Sequence, residues 1–252
     1  MKEDFEENYP LSKKISRFAG EAIRDYSMIR EGDGILIGLS GGKDSLLLSL
    51  SLALLRKRSP VKFTLRACLI DQSDGSMQTD KVAAYMDELE IPLKVVPHPI
   101  CQIMEERKER SPCSLCANMR RGMLAGQAAA LGCGTIALGH HKDDAAETVL
   151  MNLFYGGRFK CFHPHLYMSR SGIRVIRPFV YIEERRIELE AWRLSLPVAN
   201  FCCPYGEKSK RKIAKETMAS LLKEAPELRS NIVHALKNLH ENESWPKGML
   251  KE

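Results

Sequence analysis

Residues Ser40–Ser45, with the sequence Ser-Gly-Gly-Lys-Asp-Ser, carry the strongest chemical signal in the chain. An apolar run at 34–39 precedes this glycine loop, and a run of strong helix formers at 46–55 follows it. The order predicts a strand, a tight turn and a helix. Two adjacent glycines allow a close backbone approach to a ligand, and the unpaired N–H groups of a helix start attract anions. The glycine loop is therefore predicted to bind phosphate.

The spacing within the glycine loop excludes two common phosphate-binding motifs. A Walker loop needs a glycine where Ile37 stands and a serine or threonine where Asp44 stands, and the dinucleotide-binding glycine pattern is also absent. The segment instead resembles the PP-loop of the ATP pyrophosphatases, which split ATP into AMP and pyrophosphate. The resemblance implies a nucleotide site with two catalytic residues, Lys43 and Asp44, and a simple tight turn with a surface lysine is the alternative. The predicted nucleotide-binding residues of the loop are Ser40, Gly41, Gly42, Lys43, Asp44 and Ser45.

Further polar residues follow two predicted strands. Asp71 ends the strand 63–70, and a carboxylate at the carboxyl end of a parallel strand points into the crevice where ligands bind. It is expected either to contact the adenosine part of ATP or to be a turn residue. His140 and Asp143 follow the strand 134–139, beside the first strand in a doubly wound order. We expect them to bind nucleotide, hold Mg²⁺ or neutralise developing charge, with a solvated helix N-cap as the alternative.

Cys113 and Cys116 have the spacing that lets two thiolates reach one metal ion across an intervening turn. Redox chemistry, half a zinc site and part of an iron–sulfur site share this spacing. The nearest third thiolate is Cys202 or Cys203. Three thiolates make either a zinc site that lacks one ligand or a [4Fe-4S] cluster with one open iron.

Strand and helix patterns alternate at least four times along the chain, which predicts an open, mostly parallel five-stranded α/β sheet with helices on both faces. An N-terminal helical segment (1–30) is expected before an ATPase domain (31–200), which contains a cysteine-bearing insertion around 98–122. A basic helical segment (201–252) is expected after it. The predicted strands are 34–39, 63–70, 93–96, 134–139 and 174–178. The predicted helices are 11–29, 46–55, 79–89, 117–131, 145–154, 183–195, 208–223 and one from 226 to about 239.

The 252 residues are 44% hydrophobic and 28% charged, with a formal net charge of +6, which suits one sizeable core and permits a polyanionic partner. The acidic, polar N-terminus predicts no signal peptide, and no apolar run is long enough to span a bilayer. We therefore expect a cytoplasmic protein without membrane contact, in which the eight cysteines are thiols or metal ligands. Cys68 and Cys133, in or beside apolar runs, are expected in the core.

Assembled, these pieces resemble the tRNA 2-thiocytidine synthetase family of PP-loop sulfurtransferases. The segments that carry the resemblance are 22–45, 113–116 with Arg120-Arg121-Gly122, 138–144 and 152–157. The resemblance implies a PP-loop fold, with ATP, Mg²⁺ and a [4Fe-4S] cluster as cofactors. It also implies tRNA as the substrate and sulfide or a cysteine desulfurase as the sulfur donor, and it is compatible with a homodimer.

In that family ATP activates a base carbonyl oxygen of tRNA, sulfur replaces this oxygen, and a cluster held by three cysteines carries the sulfur. The expected product is 2-thiocytidine in the anticodon loop. By position, the resemblance implies Cys113, Cys116 and Cys203 as cluster ligands, with Cys203 also catalytic, because its Cys-Pro-Tyr context is similar to that of the third ligand in related thiolases. The chain departs from the family at 203–208, where another Cys-x-x-Cys and a Gly-Ser-Gln stretch are usual. This function requires the nucleotide pocket and the thiolates to face one cavity.

Three alternative functions stay open from the sequence. They are a thiolase for another tRNA base of the 2-thiouridine type, a lysidine-type ATP-dependent tRNA ligase, and a non-catalytic nucleotide- and metal-binding RNA or redox module. The ligase would leave the cysteine pair without a role. Basic residues are expected to contact RNA phosphates, although a solvated charged face is the alternative for each. They are Arg107, Lys108, Arg110, Arg120, Arg121, Lys208, Lys210, Arg211, Lys212 and Lys215.

Overall fold

A computed structural model describes residues 5–72, 77, 79–107, 112–199, 205 and 209–238. Six strands form one sheet in this part of the chain. The strands are β1 (Asp33–Leu39), β2 (Phe63–Asp71), β3 (Leu93–Pro97), β4 (Thr135–Ala137), β5 (His165–Met168) and β6 (Ile173–Ile176).

Helices connect the strands and follow the sheet. They are α1 (Phe5–Asn8), α2 (Lys13–Asp25), α3 (Lys43–Arg58), α4 (Asp80–Glu88), α5 (Ile100–Glu106), α6 (Pro112–Ala130), α7 (Lys142–Gly156), α8 (Glu184–Arg193), α9 (Lys210–Glu224) and α10 (Leu228–Lys237). Among the described helices, none combines the length and the apolar character that crossing a membrane requires.

The sheet has the strand order β3-β2-β1-β4-β6-β5, and every neighbouring pair except β5 and β6 is parallel. The chain winds outward from β1 through β2 to β3, and then returns to the other side of β1 to form β4. Ligands of open α/β sheets bind at this point of reversal, beyond the carboxyl ends of the strands. The predicted mostly parallel α/β architecture is confirmed.

The sheet contains one more strand than the sequence predicted. β5 pairs antiparallel with β6 at the edge of the sheet, with His165 opposite Ile176, and none of its four residues is fully buried. The sequence patterns predict no strand at 165–168. A short, half-exposed edge strand has no continuous apolar run, so the pattern that identified the other strands is missing here.

Two further differences concern the region around the cysteine pair. No helix was predicted in the first part of the cysteine-bearing insertion, but it contains α5, whose Ile100 and Met104 are buried. The helix predicted from Ala117 begins at Pro112, so the cysteine pair lies inside α6 and not in a turn before it. Proline is favoured at a first helical position because the N–H that it lacks has no partner within the helix.

The helix that follows the glycine loop is buried on all sides. Ten consecutive residues of α3, Ser45–Leu54, are buried, and only its last turn carries a basic cluster. A helix that is apolar all round belongs in a protein interior. The buried hydroxyl of Ser49 is satisfied, because it donates to the carbonyl of Ser45 at 2.9 Å. The burial of α3 gives the glycine loop a rigid base.

The chain divides into two compact units. The first comprises Met1–His141 and His163–Ser209, and it contains the sheet. The second comprises Lys142–Phe162 and Lys210–Glu252. Its core consists of small and apolar side chains of α7 and α9, namely Ala146, Leu150, Ala214 and Met218. The division predicted from the sequence, 1–30, 31–200 and 201–252, stays a prediction.

A buried carboxylate fastens the N-terminal helix to the first unit. Glu190 of α8 accepts a hydrogen bond from the N–H of Ser12 at 2.6 Å. Ser12 is the N-cap of α2, and its hydroxyl accepts from the N–H of Ile15. Arg193 donates to both oxygens of Glu190, at 2.7 and 3.3 Å, and also to the carbonyl of Pro10. Two paired side chains of α8 therefore hold the start of α2 and the chain before it: Glu190 binds Ser12, and Arg193 binds Pro10.

We expect Glu190→Ala to lower the free energy of unfolding by about 1–3 kcal/mol, because it leaves the half-buried N–H of Ser12 without its acceptor and Arg193 without its carboxylate partner. The neighbouring Leu189→Ala, at a side chain that is 58% exposed, should change it by less than about 0.5 kcal/mol. Urea unfolding at equilibrium measures both values. Equal stabilities of the two variants would contradict this anchoring role.

Candidate functional site

Ser45 holds the glycine loop in shape. Its hydroxyl donates to the carbonyl of Gly42 at 2.9 Å and accepts from the N–H of Ser40 at 3.2 Å. The hydroxyl of Ser40 in turn accepts from the N–H of Gly42 at 3.3 Å. The loop is therefore held by its own serines before any ligand binds. The first N–H groups of α3 have no acceptor within the helix, and they face the position where an anion would sit.

Gly41 has a φ of +76°, in the left-handed region that favours glycine. A Cβ atom at this position would lie 3.0 Å from the Cβ of Ala199. The N–H of Ala199 donates to the carbonyl of Gly41 at 2.9 Å. The chain after α8 therefore packs directly on the glycine loop, and a side chain at residue 41 would both strain the loop and separate the two segments.

Gly139 brings the end of β4 against the start of α3. A Cβ atom at Gly139 would lie 3.0 Å from the backbone C and O atoms of Asp44 and 3.2 Å from the N of Ser45. These neighbours are backbone atoms, which cannot move aside as the end of a flexible side chain does. The predicted juxtaposition of His140 with the glycine loop, across the switch point of the sheet, is confirmed at this contact.

The ammonium group of Lys43 lies among three carboxylates. Its Nζ is 3.0 Å from Glu184 Oε1, 3.3 Å from Asp44 Oδ1 and 3.7 Å from Glu188 Oε1. Burial acts to lower the pKa of Lys43, but the charge of Asp44 and the hydrogen bond and charge of Glu184 outweigh it, so the pKa is raised. Lys43 is thus firmly charged. A cleft of about 770 Å³ opens beside it.

Asp44 also lies close to His141. Asp44 Oδ1 lies 4.0 Å from His141 Nε2, and His141 is buried. A carboxylate in the first turn of a helix is stabilised by the helix dipole, which favours the charged form of Asp44. The structure therefore pairs the predicted catalytic Lys43 and Asp44 with one another, within reach of the histidine pair that follows β4.

A buried arginine holds His140. Arg177 follows β6, and its Nε donates to His140 Nδ1 at 3.3 Å while its Nη1 donates to the carbonyl of His163 at 2.5 Å. Because Nδ1 accepts this hydrogen bond, it carries a lone pair, and the proton of the neutral imidazole resides on Nε2. His140 therefore offers an N–H donor from its other nitrogen.

Helix α6, which carries Cys113 and Cys116, reaches the carboxyl end of β2. Cys116 Sγ donates to Gln72 Oε1 at 3.1 Å, and Gln72 directly follows Asp71, the buried last residue of β2. Cys113 is exposed and precedes Cys116 by three positions, so both thiols lie on one face of α6. The predicted turn between the two cysteines is thus one turn of helix. Cys116 therefore lies at the carboxyl end of β2, the strand next to β1. A cavity shared by the thiols and the glycine loop stays a prediction.

The predicted third ligand, Cys203, and its alternative Cys202 lie outside the described residues. The described residues on either side of them can be located. Ala199 is hydrogen-bonded to Gly41, and Tyr205 packs on the apolar cluster that also contacts Cys116. Both ends of the segment that carries the third thiol therefore lie in the first unit, one at the glycine loop and one beside the cysteine helix.

The described residues contain no group of three or more His, Cys, Asp or Glu side chains that could hold a metal ion. Cys113 and Cys116 supply two donors, which fit a cluster only if a thiol from outside this described set completes them. The other thiols of the first unit that we expected in the core, Cys68 and Cys133, are buried as predicted. Burial raises the pKa of Cys68 to about 11 and also raises that of Cys133, so both stay protonated.

Asp143 belongs to the second unit, where it is buried and forms an ion pair with Arg229. Its neighbour Asp144 pairs with Arg211 at 2.6 Å. Arg211 also lies 3.6 Å from Glu147. This arginine is one of the basic residues expected to contact RNA, but it already forms ion pairs with acidic side chains of its own unit. The predicted nucleotide role of Asp143 stays a prediction. Lys108, Arg110 and Lys208 lie outside the described residues.

Sequence patterns missed three residues of the site: Gln72, Arg177 and Glu184. Arg177 follows a buried strand, so the argument that identified Asp71 from its place at a strand end would also have found it. Glu184 stands in the first turn of α8, and it reaches Lys43 across 141 positions of the chain. No local pattern indicates a pairing over that separation.

Residues 10–195 match the PP-loop domain family. The chain is 39% identical to the tRNA-cytidine(32) 2-sulfurtransferase of Pelobacter propionicus, over 92% of this chain and 87% of that protein. It is 38% identical to the protein of the same name from Alkalilimnicola ehrlichii, over 91% of this chain and 74% of that one.

Among solved structures, the chain is similar to the U34-tRNA thiolase NcsA from Methanococcus maripaludis, determined with its [4Fe-4S] cluster. The TM-score is 0.74 and the identity 26%, over 90% of this chain and 79% of that chain. The resemblance stated from the sequence is therefore confirmed over most of the chain. This chain therefore belongs to the PP-loop domain family, within the group of the tRNA-cytidine(32) 2-sulfurtransferases, as the matched family, the named relatives and the glycine loop at the switch point of the sheet together show.

Proposed function

We propose that the chain is an ATP-dependent tRNA sulfurtransferase that converts cytidine 32, the position that its relatives' name specifies, into 2-thiocytidine with release of AMP and pyrophosphate. The observation that carries the proposal is the hydrogen bond between Cys116 and Gln72. It holds a thiol pair at the carboxyl end of β2, and the neighbouring β1 ends at a loop built for phosphate. Activation of the base and delivery of sulfur can then take place at the same end of the sheet, beyond the carboxyl ends of β1 and β2.

The first half of the reaction makes a poor leaving group into a good one. The carbonyl oxygen of the base attacks the α-phosphorus of ATP, pyrophosphate departs, and the base carries AMP on its oxygen. The N–H groups at the start of α3 would hold the departing pyrophosphate. Lys43 would add a point charge, and Glu184 and Asp44 keep it protonated until phosphate oxygens replace them as its partners.

His140 would act as a neutral hydrogen-bond donor. Arg177 donates to its Nδ1, which puts the imidazole proton on Nε2, and this N–H would donate to an oxygen that gains negative charge during adenylyl transfer. Asp71, buried at the end of β2, is proposed to contact the adenosine part of ATP. A nucleotide role of Asp143 would have to compete with its ion pair to Arg229.

The proposed [4Fe-4S] cluster would be held by Cys113, Cys116 and Cys203. Support comes from the two thiols on one face of α6 and from the cluster in the NcsA structure. It also comes from the positions of Ala199 and Tyr205, which lie on either side of the proposed third ligand in the sequence. When bound, a three-cysteine cluster supplies an iron that can carry the incoming sulfur. The second half of the reaction displaces AMP from the base carbon by sulfur.

Mg²⁺ is proposed to enter with the ATP phosphates and not through a protein cage. Magnesium in nucleotide sites is usually bound by one or two carboxylates and by substrate phosphates. The sulfur donor is proposed to be sulfide or a cysteine desulfurase, and the working form is proposed to be a homodimer. A tRNA substrate would place the reaction in the cytoplasm.

A second candidate is thiolation of a uridine, because the similar solved structure is a U34-tRNA thiolase. The two candidates share the activation chemistry and differ in the base that enters the site. The nucleoside recovered from the tRNA therefore separates them.

The test uses protein purified without oxygen, with its iron content and visible spectrum recorded, then incubated with ATP, Mg²⁺, sulfide and unmodified tRNA. We expect 2-thiocytidine in the digested tRNA, and AMP in equal amount. Cys113→Ser and Cys116→Ser should lose iron and thiolation, whereas Cys161→Ser, at a half-buried thiol of the second unit, should keep both. Iron-free protein with full thiolation activity would exclude the cluster, and AMP formation without any thionucleoside would exclude sulfur transfer.

Lys43→Met should lower kcat/KM for ATP about 100- to 1,000-fold, the usual effect of removing one oriented donor from an anionic transition state. The variant also leaves Glu184, whose side chain is only 15% exposed, without its cation. The double variant Lys43→Met/Glu184→Gln restores a neutral pair, and its thermal unfolding should return toward that of the wild type while its activity stays low. Recovered activity in the double variant would show that the lysine acts only through stability.

Nuclear magnetic resonance of imidazole nitrogens tests the assignment at His140. We expect the Nε2–H tautomer for His140 and the opposite tautomer for His165, whose Nδ1 lies 2.9 Å from the carbonyl of Tyr26 and has to donate to it. Arg177→Met should let His140 populate the Nδ1–H form and leave His165 unchanged. An Nδ1–H tautomer of His140 in the unsubstituted protein would refute the proposed donor role.

A further inference from the structure

An exposed surface at the end of α7 is rich in aromatic and basic side chains. Eight consecutive residues, 153–160, are exposed. The large apolar side chains among them are 40–56% exposed, and they are Leu153, Phe154, Tyr155 and Phe159. Arg158 and Lys160 flank Phe159 in the sequence. We call residues 153–160 the aromatic–basic surface.

The exposure does not come from a loose chain end. Gly157 takes a φ of +57° and ends α7, and its N–H donates to the carbonyl of Leu153. The N–H of Arg158 donates to the carbonyl of Asn152 at 3.0 Å, and the amide of Asn152 donates to the carbonyl of Lys160 at 2.8 Å. These bonds hold the rings on a preformed support, which lowers the entropy that a ligand has to overcome.

The core of the second unit does not need these side chains. Ala146 and Leu150 of α7 pack against α9, and Met151 is the last residue of α7 that joins this cluster. The rings that follow stay outside it. A large exposed apolar patch usually marks an interaction site. We therefore expect the aromatic–basic surface to bind a partner.

The charges around the rings favour an anionic partner. Residues 151–165 include Arg158 and Lys160 and no aspartate or glutamate. Lys210, at the start of α9, places its ammonium 4.7 Å from the ring centroid of Tyr155 and adds a third cation to the surface. A purely apolar partner would gain nothing from these three cations.

We propose that the aromatic–basic surface binds the unpaired nucleotides of the tRNA anticodon loop by stacking of bases on Phe154 and Phe159, with Arg158, Lys160 and Lys210 on the phosphates. Aromatic side chains interleaved with cations form the surface to which single-stranded nucleic acid binds, because every exposed base has a free face. A paired stem offers no such faces, so the surface selects the loop over the stem. The inference rests on the proposed tRNA substrate and assigns the residues that recognise its loop.

The experiment measures dissociation constants for two RNA probes, an anticodon stem–loop and a blunt duplex of the same length. Phe154→Ala and Phe159→Ala should each weaken stem–loop binding about 5- to 100-fold, since stacking on one ring contributes about 1–3 kcal/mol per base. Duplex binding should change less than about 2-fold. Phe154→Trp, which keeps a stacking ring, should bind the stem–loop as the wild type does.

The matched control is Tyr167→Ala, which removes an aromatic ring that is 62% exposed on β5 of the first unit, and it should change neither affinity. Sedimentation of each variant reports its oligomeric state. Unchanged stem–loop affinity in both phenylalanine variants overturns the inference, and a changed oligomeric state with unchanged affinity assigns the surface to self-association instead. If the wild type binds no stem–loop and forms no thionucleoside, the proposed function fails as well. If it does both and the variants match it, only this inference fails.

Discussion

The backbone contact between Gly139 and Asp44 is the constraint on which the site depends. Because residue 139 has no side chain, the chain after β4 can pack closely on the first turn of α3. A Cβ atom at Gly139 would lie only 3.0 Å from backbone atoms of Asp44. This contact sets the histidine pair beside the glycine loop. Glycine at residue 41 has the same role for the chain after α8, which is hydrogen-bonded to the loop. Two absent side chains thus let three segments meet at one end of the sheet.

The charges of the site are balanced before a nucleotide arrives. Lys43 has Asp44 and Glu184 as partners, and Arg177 donates to His140. A free ammonium beside a glycine loop would attract any anion, whereas a paired one exchanges its carboxylates only for a ligand that also satisfies the loop N–H groups. ATP offers both its phosphate charge and its oxygen acceptors, so selectivity can arise from this exchange as much as from shape.

The strands β1 to β4 and the glycine loop could be predicted because each has a local sequence pattern, either an apolar run or a glycine pair. The strand end at Asp71 followed from the same logic. The pairings of Lys43 with Glu184 and of His140 with Arg177 could not be predicted, because the members of each pair are separated in the chain by more than any spacing rule covers. β5 was missed for a related reason: its stability comes from pairing with β6 at an edge, not from its own composition.

The helical location of the cysteine pair changes what the thiols can do. A pair in a flexible turn can adjust its separation to a metal, but Cys113 and Cys116 are tied to the geometry of α6, and Cys116 is also tied to Gln72. In the proposed cluster these two thiols would set the position of the metal, and the proposed third ligand, Cys203, lies in the sequence between Ala199 and Tyr205. One end of that segment is hydrogen-bonded to the glycine loop. A nucleotide that shifts the glycine loop would therefore also act on Ala199, which precedes the proposed third ligand in the chain. This contact is a route by which the proposed activation of the base could be coupled to the proposed delivery of sulfur.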